Sequence, residues 1–319
     1  MEFVSTGSVA LDRALGGGLA KGALTQVFGE KGIGKSLLAL QTACSVVARG
    51  RSAVIIDTEQ SYSHLLGWLP AMESRFKRKF DAVWPLLERT FGKRRNTEVK
   101  GAIEALLAQL KLPADGQKLK ALIWLLAPEV QLKYEKADEP ALYIISTPYM
   151  QDLLHMHGIR AEISSSAGGR VEVRMLPGMV VDATVSPIGS MLEDVNAELL
   201  VYDSLTMPFK STFVSTQDLP ARSATLAMLL SQAQRLCNAK DMAVLAINHV
   251  SDNPSNPYDR ARPFGGRVVG YDFKFSYHLA NASKPKDEEQ KRVIIAYRHL
   301  LLPPYTKTGE IVITEEGIV

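Results

Sequence analysis

Eight consecutive residues near the start of the chain have the spacing of a loop that binds phosphate groups. The segment from Gly29 to Ser36 fits the pattern G-x-x-x-x-G-K-[ST] at every fixed position. Residues 24–28 before it, Leu-Thr-Gln-Val-Phe, predict a buried strand, and residues 37–43 after it predict the start of a helix. A strand, a loop and a helix in that order distinguish a true phosphate loop from a chance match. We expect the nucleotide contacts to come from Gly29, Glu30, Lys31, Gly32, Ile33, Gly34, Lys35, Ser36 and Leu37.

The residue types in this loop suit a nucleoside triphosphate with a magnesium ion. Glycines let the backbone curl until successive N–H groups point at one anion, and the N-terminus of the following helix adds a positive dipole. In loops of this kind the lysine, here Lys35, reaches the β- and γ-phosphates, and the hydroxyl, here Ser36, binds Mg²⁺. The alternative is a glycine-rich turn with a solvated lysine, which the flanking strand and helix disfavour.

Three further apolar segments, residues 53–57, 198–203 and 242–249, predict buried strands that end in polar side chains. The first ends at Asp57, with Glu59 two residues later. The second ends at Asp203, and the third ends at Asn248 and His249. Continuous apolar strands separated by helices are typical of a parallel α/β sheet, in which ligands bind at the carboxyl ends of the strands. These side chains should therefore lie on the same rim as the phosphate loop.

Each of these rim residues has a candidate role beside an ordinary structural one. Asp203 is the carboxylate that would hold the Mg²⁺ shell, although a strand-terminal aspartate can also cap a helix. Glu59 could polarise an attacking water, or it could be a solvated loop acid. Asn248 and His249 could contact the γ-phosphate from a neighbouring strand end. The alternative for His249 is an edge histidine whose hydrogen bonds are already satisfied.

Residues 251–270 form a long polar segment that combines arginines with aromatic residues. Loops of this length without secondary structure tend to be functional or disordered. Basic residues interleaved with aromatic ones suit single-stranded nucleic acid, through phosphate contacts and base stacking. The alternative is a lid that the nucleotide alone orders. The candidate nucleic-acid contacts are Arg260, Arg262, Phe264 and Arg267.

The segment between Asp57 and Asp203 is too long for the crossovers of a parallel sheet and predicts an inserted lobe. We expect residues 1–66 and 196–319 to form the core. Residues 67–195 should be partly core crossovers and partly a lobe with a basic helix and a β-hairpin. The helix is predicted around residues 75–95, where aromatic residues recur every four positions. The hairpin is predicted over residues 170–185, with its turn at Pro177–Gly178.

The composition is that of an ordinary globular protein, with 46% hydrophobic residues and a net charge of +3. No apolar run reaches the length of a transmembrane helix, and residues 1–6 do not have the character of a signal peptide. Cys44 and Cys237 are expected to be buried free thiols in a reducing cytosol. We therefore expect a cytoplasmic protein that is associated with the nucleoid if it binds DNA.

These motifs, taken in their order along the chain, resemble the ATPase core of the archaeal RadA/RadB recombinases. The resemblance covers about residues 1–66 and 195–319, whereas residues 70–195 match poorly. Asp57-Thr58-Glu59 is similar to the D-T-E of that family, and Asn248-His249-Val250 stands where N-Q-V is usual. The other similar segments are residues 5–18, 29–42, 200–206, 219–237, 263–266 and 309–318.

The resemblance implies a RecA-type α/β ATPase core that binds ATP and Mg²⁺ and acts in DNA recombination and repair. In the family, the glutamate at the position of Glu59 activates water, and residues 263–266 end a DNA-binding loop. DNA, a recombinase or repair-protein partner and further copies of the chain are the implied partners. A membrane is not among them.

The sequence departs from the family pattern in four respects, and the first three argue against a long, autonomous strand-exchange filament and fit an accessory paralogue. The chain begins almost at the first motif, without a helix-hairpin-helix domain, and it has no F-x-x-A segment for docking onto a neighbour. Arg298-His299 stands near the usual Asp-containing ATP cap, and Leu66 stands about where an adenine-stacking arginine is usual. We expect slow, DNA-responsive ATP hydrolysis. The alternatives are a KaiC-like signalling ATPase and a scaffold that binds ATP without hydrolysing it.

Overall fold

The computed structural model of the 319-residue chain describes residues 1–89, 101, 104–105, 107–109, 130–165, 170–180, 182–251, 261–282 and 290–319. The strands are β1 Phe3–Val4, β2 Leu19–Ala20, β3 Leu24–Gly29, β4 Ser52–Asp57, β5 Ala82–Val83, β6 Leu86–Arg89, β7 Val130–Lys133, β8 Leu142–Ser146, β9 Ile159–Ser165, β10 Val171–Val180, β11 Ala197–Asp203, β12 Ala243–Ser251, β13 Arg262–Pro263, β14 Phe275–Asn281, β15 Gln290–Arg298, β16 Thr306–Thr314 and β17 Gly317–Ile318.

The helices lie between these strands. They are α1 Val9–Ala14, α2 Lys35–Ala48, α3 Tyr62–Leu65, α4 Leu69–Phe76, α5 Met150–Met156, α6 Pro187–Asp194, α7 Met207–Thr212, α8 Leu219–Ala239 and α9 Gly266–Asp272. Short 3₁₀-helices cover Leu66–Trp68, Ala183–Val185 and Thr216–Asp218.

The main sheet has the strand order β17–β16–β15–β14–β3–β12–β11–β4–β8–β5, and β13 pairs with β12. The strands from β14 to β5 are parallel to one another, whereas β15, β16 and β17 continue the sheet in antiparallel pairs. The four apolar segments recognised in the sequence are β3, β4, β11 and β12, at the centre of the sheet. This architecture confirms the expected mainly parallel α/β fold.

Helices cover both faces of the sheet, and each face has its own apolar core. On one face α2 packs against residues such as Ile55 and Val201. On the other face α5, α6 and α8 pack against the neighbouring residues Val54 and Leu200. Successive residues of a strand point to opposite faces, so a strand buried on both sides is apolar at most positions. This explains the continuous apolar runs in the sequence.

The predicted basic helix around residues 75–95 is wrong for the part that the structure describes. Helix α4 ends at Phe76, and Lys77 has a left-handed backbone conformation with φ of 52°. The chain then forms the short strands β5 and β6. Phe76 and Phe80 still pack together, edge to face at 6.2 Å between ring centroids, but across a turn rather than along one helix. Residues 90–100 lie outside the described ranges.

The predicted β-hairpin near residues 170–185 does not form around Pro177–Gly178. Strand β10 pairs antiparallel with β9, which precedes it in the chain. Pro177 and Gly178 lie within β10, where the register shifts between Met175 and Val180. The prediction of a turn at Pro177–Gly178 is therefore wrong. Proline has no N–H to donate to a ladder, so it suits an irregular stretch of a strand as well as a turn.

Residues 67–195 contribute directly to the main sheet as well as to its surroundings. Strand β8 lies between β4 and β5, and α4, α5 and α6 pack near it. Strands β6 and β7 form a separate antiparallel pair. Cys44 and Cys237 are both buried free thiols, as predicted. Within the described residues no helix is long and apolar enough to cross a membrane.

Candidate functional site

The phosphate loop joins β3 to α2 with the geometry that its glycines require. Gly32 and Gly34 have positive φ angles of 77° and 104°. Residues with a Cβ atom rarely adopt this backbone conformation. A Cβ atom on Gly29 would lie 2.3 Å from the carbonyl oxygen of Leu279 on β14. The loop therefore has no room for a side chain at its first glycine. Its backbone is held between β14 and the start of α2.

Lys35 is the first residue of α2, and its side chain is folded back into the loop. Its ammonium donates hydrogen bonds to the carbonyl oxygens of Gly29 at 3.0 Å and Glu30 at 2.6 Å. Burial lowers the pKa of Lys35, while the nearby carboxylates of Asp203 and Glu59 act in the opposite direction. The lysine thus lies where the loop and the strand-end carboxylates meet, as the motif predicts.

Asp203 lies at the end of β11 and is buried, with 2% of its surface exposed. Burial raises its pKa to about 6, while the hydroxyl groups of Ser36 and Tyr62 act in the opposite direction. The Tyr62 hydroxyl donates to Asp203 Oδ2 at 3.1 Å. The carboxylate of Asp203 and the hydroxyl of Ser36 are hard oxygen ligands of the kind that Mg²⁺ prefers. The two residues therefore fit the predicted metal site, in which nucleotide phosphates would supply further ligands.

Asp57 has a supporting position rather than one in the reaction centre. It lies beside Asp203 in the register of β4 and β11. Its carboxylate accepts backbone hydrogen bonds from Ser61 at 3.2 Å and Tyr62 at 3.0 Å. Because those donors belong to the first turn of α3, Asp57 orients the tyrosine that contacts Asp203. Tyr62 has no recognisable sequence motif, although its place five residues after a strand-terminal aspartate is a usable signal.

Glu59 and His249 form a direct contact at the rim. Glu59 Oε1 lies 2.7 Å from His249 Nε2, and both side chains are partly exposed, at 29% and 26%. The hydrogen bond from His249 lowers the pKa of Glu59, and the charge of Lys35 adds to this effect. The glutamate is therefore held ionised. His249 also lies opposite Gly29 in the register of β12 and β3, next to the start of the phosphate loop.

Asn248 connects the end of β12 to neighbouring segments. Its side chain is fully buried, and its Oδ1 accepts a hydrogen bond from Thr206 Oγ1 at 2.5 Å. Its Nδ2 donates to the carbonyl oxygen of Phe264 at 2.8 Å, and the backbone N–H of Phe264 donates to the carbonyl of His249 at 2.8 Å. Both ends of the amide are thus engaged within the protein. A contact between Asn248 and nucleotide stays a prediction.

The candidate nucleic-acid residues are only partly within the described ranges. Arg262 is exposed on β13. Arg267 lies in α9, but its side chain is outside the described part of the chain, and so is the whole of Arg260. Phe264 is half-buried between two cations that the sequence had not indicated. Lys210 lies 5.5 Å from the centroid of its ring, and Arg222 lies 4.8 Å from it.

A cavity of about 330 Å³ opens beside the start of α2. Its walls combine the phosphate loop with residues of α3, the following 3₁₀-helix, β15 and β16. Leu65 and Trp68 supply an apolar wall, and Arg292 supplies a buried cation. Leu65, Trp68 and Arg292 belong to none of the motifs identified in the sequence. The lining residues are Gly32, Gly34, Lys35, Ser36, Leu37, Leu65, Trp68, Gln290, Arg292 and Ile313.

The chain is similar to recombinases in sequence and in fold. A model of the RecA N-terminal domain matches residues 1–67, and a model of the Rad51 family matches residues 181–318. The DNA repair and recombination protein RadA of Haloquadratum walsbyi is 24% identical over 293 residues, which are 89% of this chain and 67% of that protein.

A second relative is more similar over a shorter stretch. The DNA repair and recombination protein RadB of Methanoculleus marisnigri is 54% identical over 58 residues, which are 18% of this chain and only 26% of that protein. A crystal structure of the RadB recombinase has the same fold, with a TM-score of 0.51 and 21% identity over 99% of this chain and 98% of the other.

The two family models match the two parts of the chain that carry the phosphate loop and the other rim residues, Asp203, Asn248 and His249. The order of strands places those parts together in one sheet, with Gly29 beside His249 and Asp57 beside Asp203. These matches together support placing the chain among the RadA/RadB-type recombinases.

Proposed function

We propose that this protein is an Mg²⁺-dependent ATP-binding recombinase paralogue that hydrolyses ATP slowly and responds to DNA. The observation that carries the proposal is the convergence of Lys35, Ser36, Asp203, Glu59 and His249 on one rim of the sheet. These side chains are the parts that a phosphoryl-transfer site needs: a cation, a metal site and a group that orients water.

Each of these residues has a separable role. The loop N–H groups and Lys35 bind the phosphates, and Mg²⁺ held by Ser36 and Asp203 would neutralise charge on the transferred group. Glu59 orients and polarises the attacking water, because its depressed pKa keeps the carboxylate ionised at neutral pH. The contact with His249 fixes the carboxylate and also restrains it. That restraint supports slow turnover.

His249 is suited to report the γ-phosphate to the nucleic-acid loop. Its side chain is hydrogen-bonded to Glu59, and its backbone carbonyl accepts a hydrogen bond from the N–H of Phe264. Asn248, its neighbour, holds the carbonyl of Phe264. A shift of the end of β12 toward a bound phosphate would therefore move Phe264. This short connection supports coupling between nucleotide and DNA.

The cavity beside α2 supports a position for the nucleobase. Trp68 and Leu65 offer an aromatic and an aliphatic surface in its wall, which they share with residues of the phosphate loop. Leu66 stands where the family usually has a cationic side chain. We infer that the base packs on Trp68 and Leu65 instead, through stacking and apolar contact. ATP rather than a free phosphate is then the natural ligand.

The surface around Phe264 supports a contact with single-stranded DNA. Lys210 and Arg222 contact the half-buried ring of Phe264, and Arg262 is exposed on β13 two residues before it. Cations contact phosphates while aromatic faces stack with bases, and such sites bind single-stranded DNA with little preference for its base sequence. Arg260 and Arg267 are the other candidate contacts. A recombinase or repair protein, or a second copy of the chain, is proposed as protein partner on the family relationship.

ATP turnover, measured with and without single-stranded DNA, tests the proposal and separates it from the alternatives. Stimulation by DNA supports the recombinase paralogue. A rate of ATP hydrolysis that DNA does not change would indicate a signalling ATPase. ATP binding without hydrolysis would indicate a scaffold. Lys35→Ala should abolish binding of Mg·ATP, whereas Arg49→Ala at the other end of the same helix should leave it unchanged. Equal ATP affinity in Lys35→Ala and the wild type would refute the site.

A further inference from the structure

Arg292 is a buried cation in the wall of the cavity beside the phosphate loop. It lies on β15, and only 7% of its surface is exposed. Its Nε donates a hydrogen bond to the carbonyl oxygen of Ile33 at 3.2 Å, which places the guanidinium against the loop. The same side chain lines the cavity with Lys35 and Ser36. Burying a charge is costly unless it is paired, so this position needs an explanation.

Among the described residues, the contacts of Arg292 leave its charge uncompensated. Besides Ile33, it donates to Asn281 Oδ1 at 3.1 Å, to the carbonyl of Lys291 at 3.0 Å and to Gln290 Oε1 at 3.2 Å. All of these acceptors are neutral. Within the described part of the chain no carboxylate contacts the guanidinium. A guanidinium has five N–H groups, so one donor has no acceptor among the described residues.

The carboxylates near the phosphate loop are the reason why a second positive charge would help this site to bind a triphosphate. Lys35 is the cation of the phosphate loop, but Asp203, Glu59 and Glu30 act on it electrostatically. These carboxylates offset part of its charge. A triphosphate carries several negative charges, which a single offset lysine balances poorly. A guanidinium matches phosphate oxygens well, because its donors are planar and its charge is permanent.

We propose that Arg292 is a second cationic ligand of the nucleotide and binds a phosphate oxygen. The inference rests on the proposed function, since it adds a contact to the same site. Arg292 also positions the loop through Ile33, and through Asn281 it connects the site to β14. Bound phosphate would supply a counter-charge, which the described residues in contact with the guanidinium do not provide.

The test compares two variants that differ in charge, Arg292→Lys and Arg292→Gln. Both variants lack the planar guanidinium group, but only Arg292→Lys keeps a positive charge at this position. Affinity is measured by titration calorimetry with Mg·ATP and with inorganic tripolyphosphate. We expect Arg292→Gln to weaken binding of both ligands by about ten- to a hundredfold, as for the loss of one charged hydrogen bond. Arg292→Lys should stay within about fivefold of the wild type.

A matched control is available on the same strand. Lys291 is exposed and, as the next residue of β15, projects to the opposite face of the sheet. Lys291→Gln removes the same charge without touching the cavity and should leave ATP affinity unchanged. Thermal unfolding without nucleotide checks that each variant is folded.

Other outcomes would overturn the inference. Equal weakening by Arg292→Lys and Arg292→Gln would show that Arg292 only shapes the loop. Unchanged binding in Arg292→Gln would remove it from the site. Either result leaves the proposed function standing as long as the wild type binds ATP and Lys35→Ala does not. A wild-type protein without ATP affinity would contradict the proposed function itself.

Discussion

Glu59 and His249 are separated by 190 residues in the chain, yet Glu59 Oε1 and His249 Nε2 lie 2.7 Å apart. The contact joins the residue proposed to orient water to the strand that leads into the nucleic-acid loop. It exists because β4 and β12 flank β11 in a parallel sheet and end at the same edge. Catalysis and coupling to DNA are therefore proposed to share one hydrogen bond.

Substitution of the two partners separates these roles. Glu59→Gln should lower the rate of ATP hydrolysis by about a hundredfold or more, because the carboxylate that polarises water is lost, while ATP affinity changes little. His249→Ala should weaken the response to DNA more than ATP binding. Turnover and calorimetry with and without DNA check both variants. Full activity in Glu59→Gln would contradict the assignment of the glutamate.

The pKa of Asp203 predicts opposite effects of pH on the free and the nucleotide-bound protein. The carboxyl titrates at about 6 when folded and near 4 when unfolded. The folded state therefore loses stability as pH rises from about 4 to 6, because the buried group must ionise. Binding of Mg²⁺ needs the ionised form, so affinity for Mg·ATP should fall as pH drops below about 6.

Asp203→Asn tests this directly. Without nucleotide at pH 7.5 it should raise the melting temperature by a few degrees, since the buried charge is gone. It should also abolish the stabilisation by Mg·ATP. Thermal unfolding from pH 5 to 8 measures both effects. A variant that is less stable than the wild type at pH 7.5 without nucleotide would contradict the prediction.

Trp68 should report nucleotide binding by its fluorescence. In a background with Trp84→Phe and Trp124→Phe, the emission of Trp68 should change when Mg·ATP binds. Trp68→Phe should keep most of the affinity, whereas Trp68→Ala should lower it by about tenfold, as expected for the loss of a base-stacking contact. An unchanged signal at saturating ATP would place the base elsewhere.

The cation–aromatic cluster around Phe264 predicts how DNA binding depends on salt. Phe264→Ala should weaken binding of single-stranded DNA without changing the salt slope, because it removes stacking. Arg262→Ala should weaken binding and also reduce the slope by about 0.7, the value for one phosphate contact on a single strand. Lys79→Ala is the control, because Lys79 is exposed and already pairs with Glu73. Equal slopes for Arg262→Ala and wild type would exclude a phosphate contact.

Local pattern was sufficient to predict the phosphate loop and the strands around it. The spacing from Gly29 to Ser36 is a contiguous requirement of the backbone, so it is visible in the sequence. The four central strands are recognisable because burial on both faces favours apolar residues at most positions. Asp203 was predictable for the same reason, as the polar end of an apolar run.

Predictions from local sequence pattern were wrong where the same residues could form a different secondary structure. The four-residue spacing of Phe76, Phe80 and Trp84 fits a helix, but the chain turns at Lys77 and packs Phe76 on Phe80 from separate segments. Pro177–Gly178 fits a turn, but it lies within β10 because β9 is the pairing partner. In both cases the decisive contacts come from outside the window that shows the pattern.

The amino-acid sequence specified which residues carry charge and metal-binding oxygens and which strands bring them to an edge. Tertiary structure alone decided which of them meet: Glu59 with His249, Tyr62 with Asp203, Phe264 between Lys210 and Arg222, and Arg292 against the phosphate loop. The physical reason is that these contacts join residues from different strands and helices. Their distances depend on strand order and packing, which no local spacing of residues encodes.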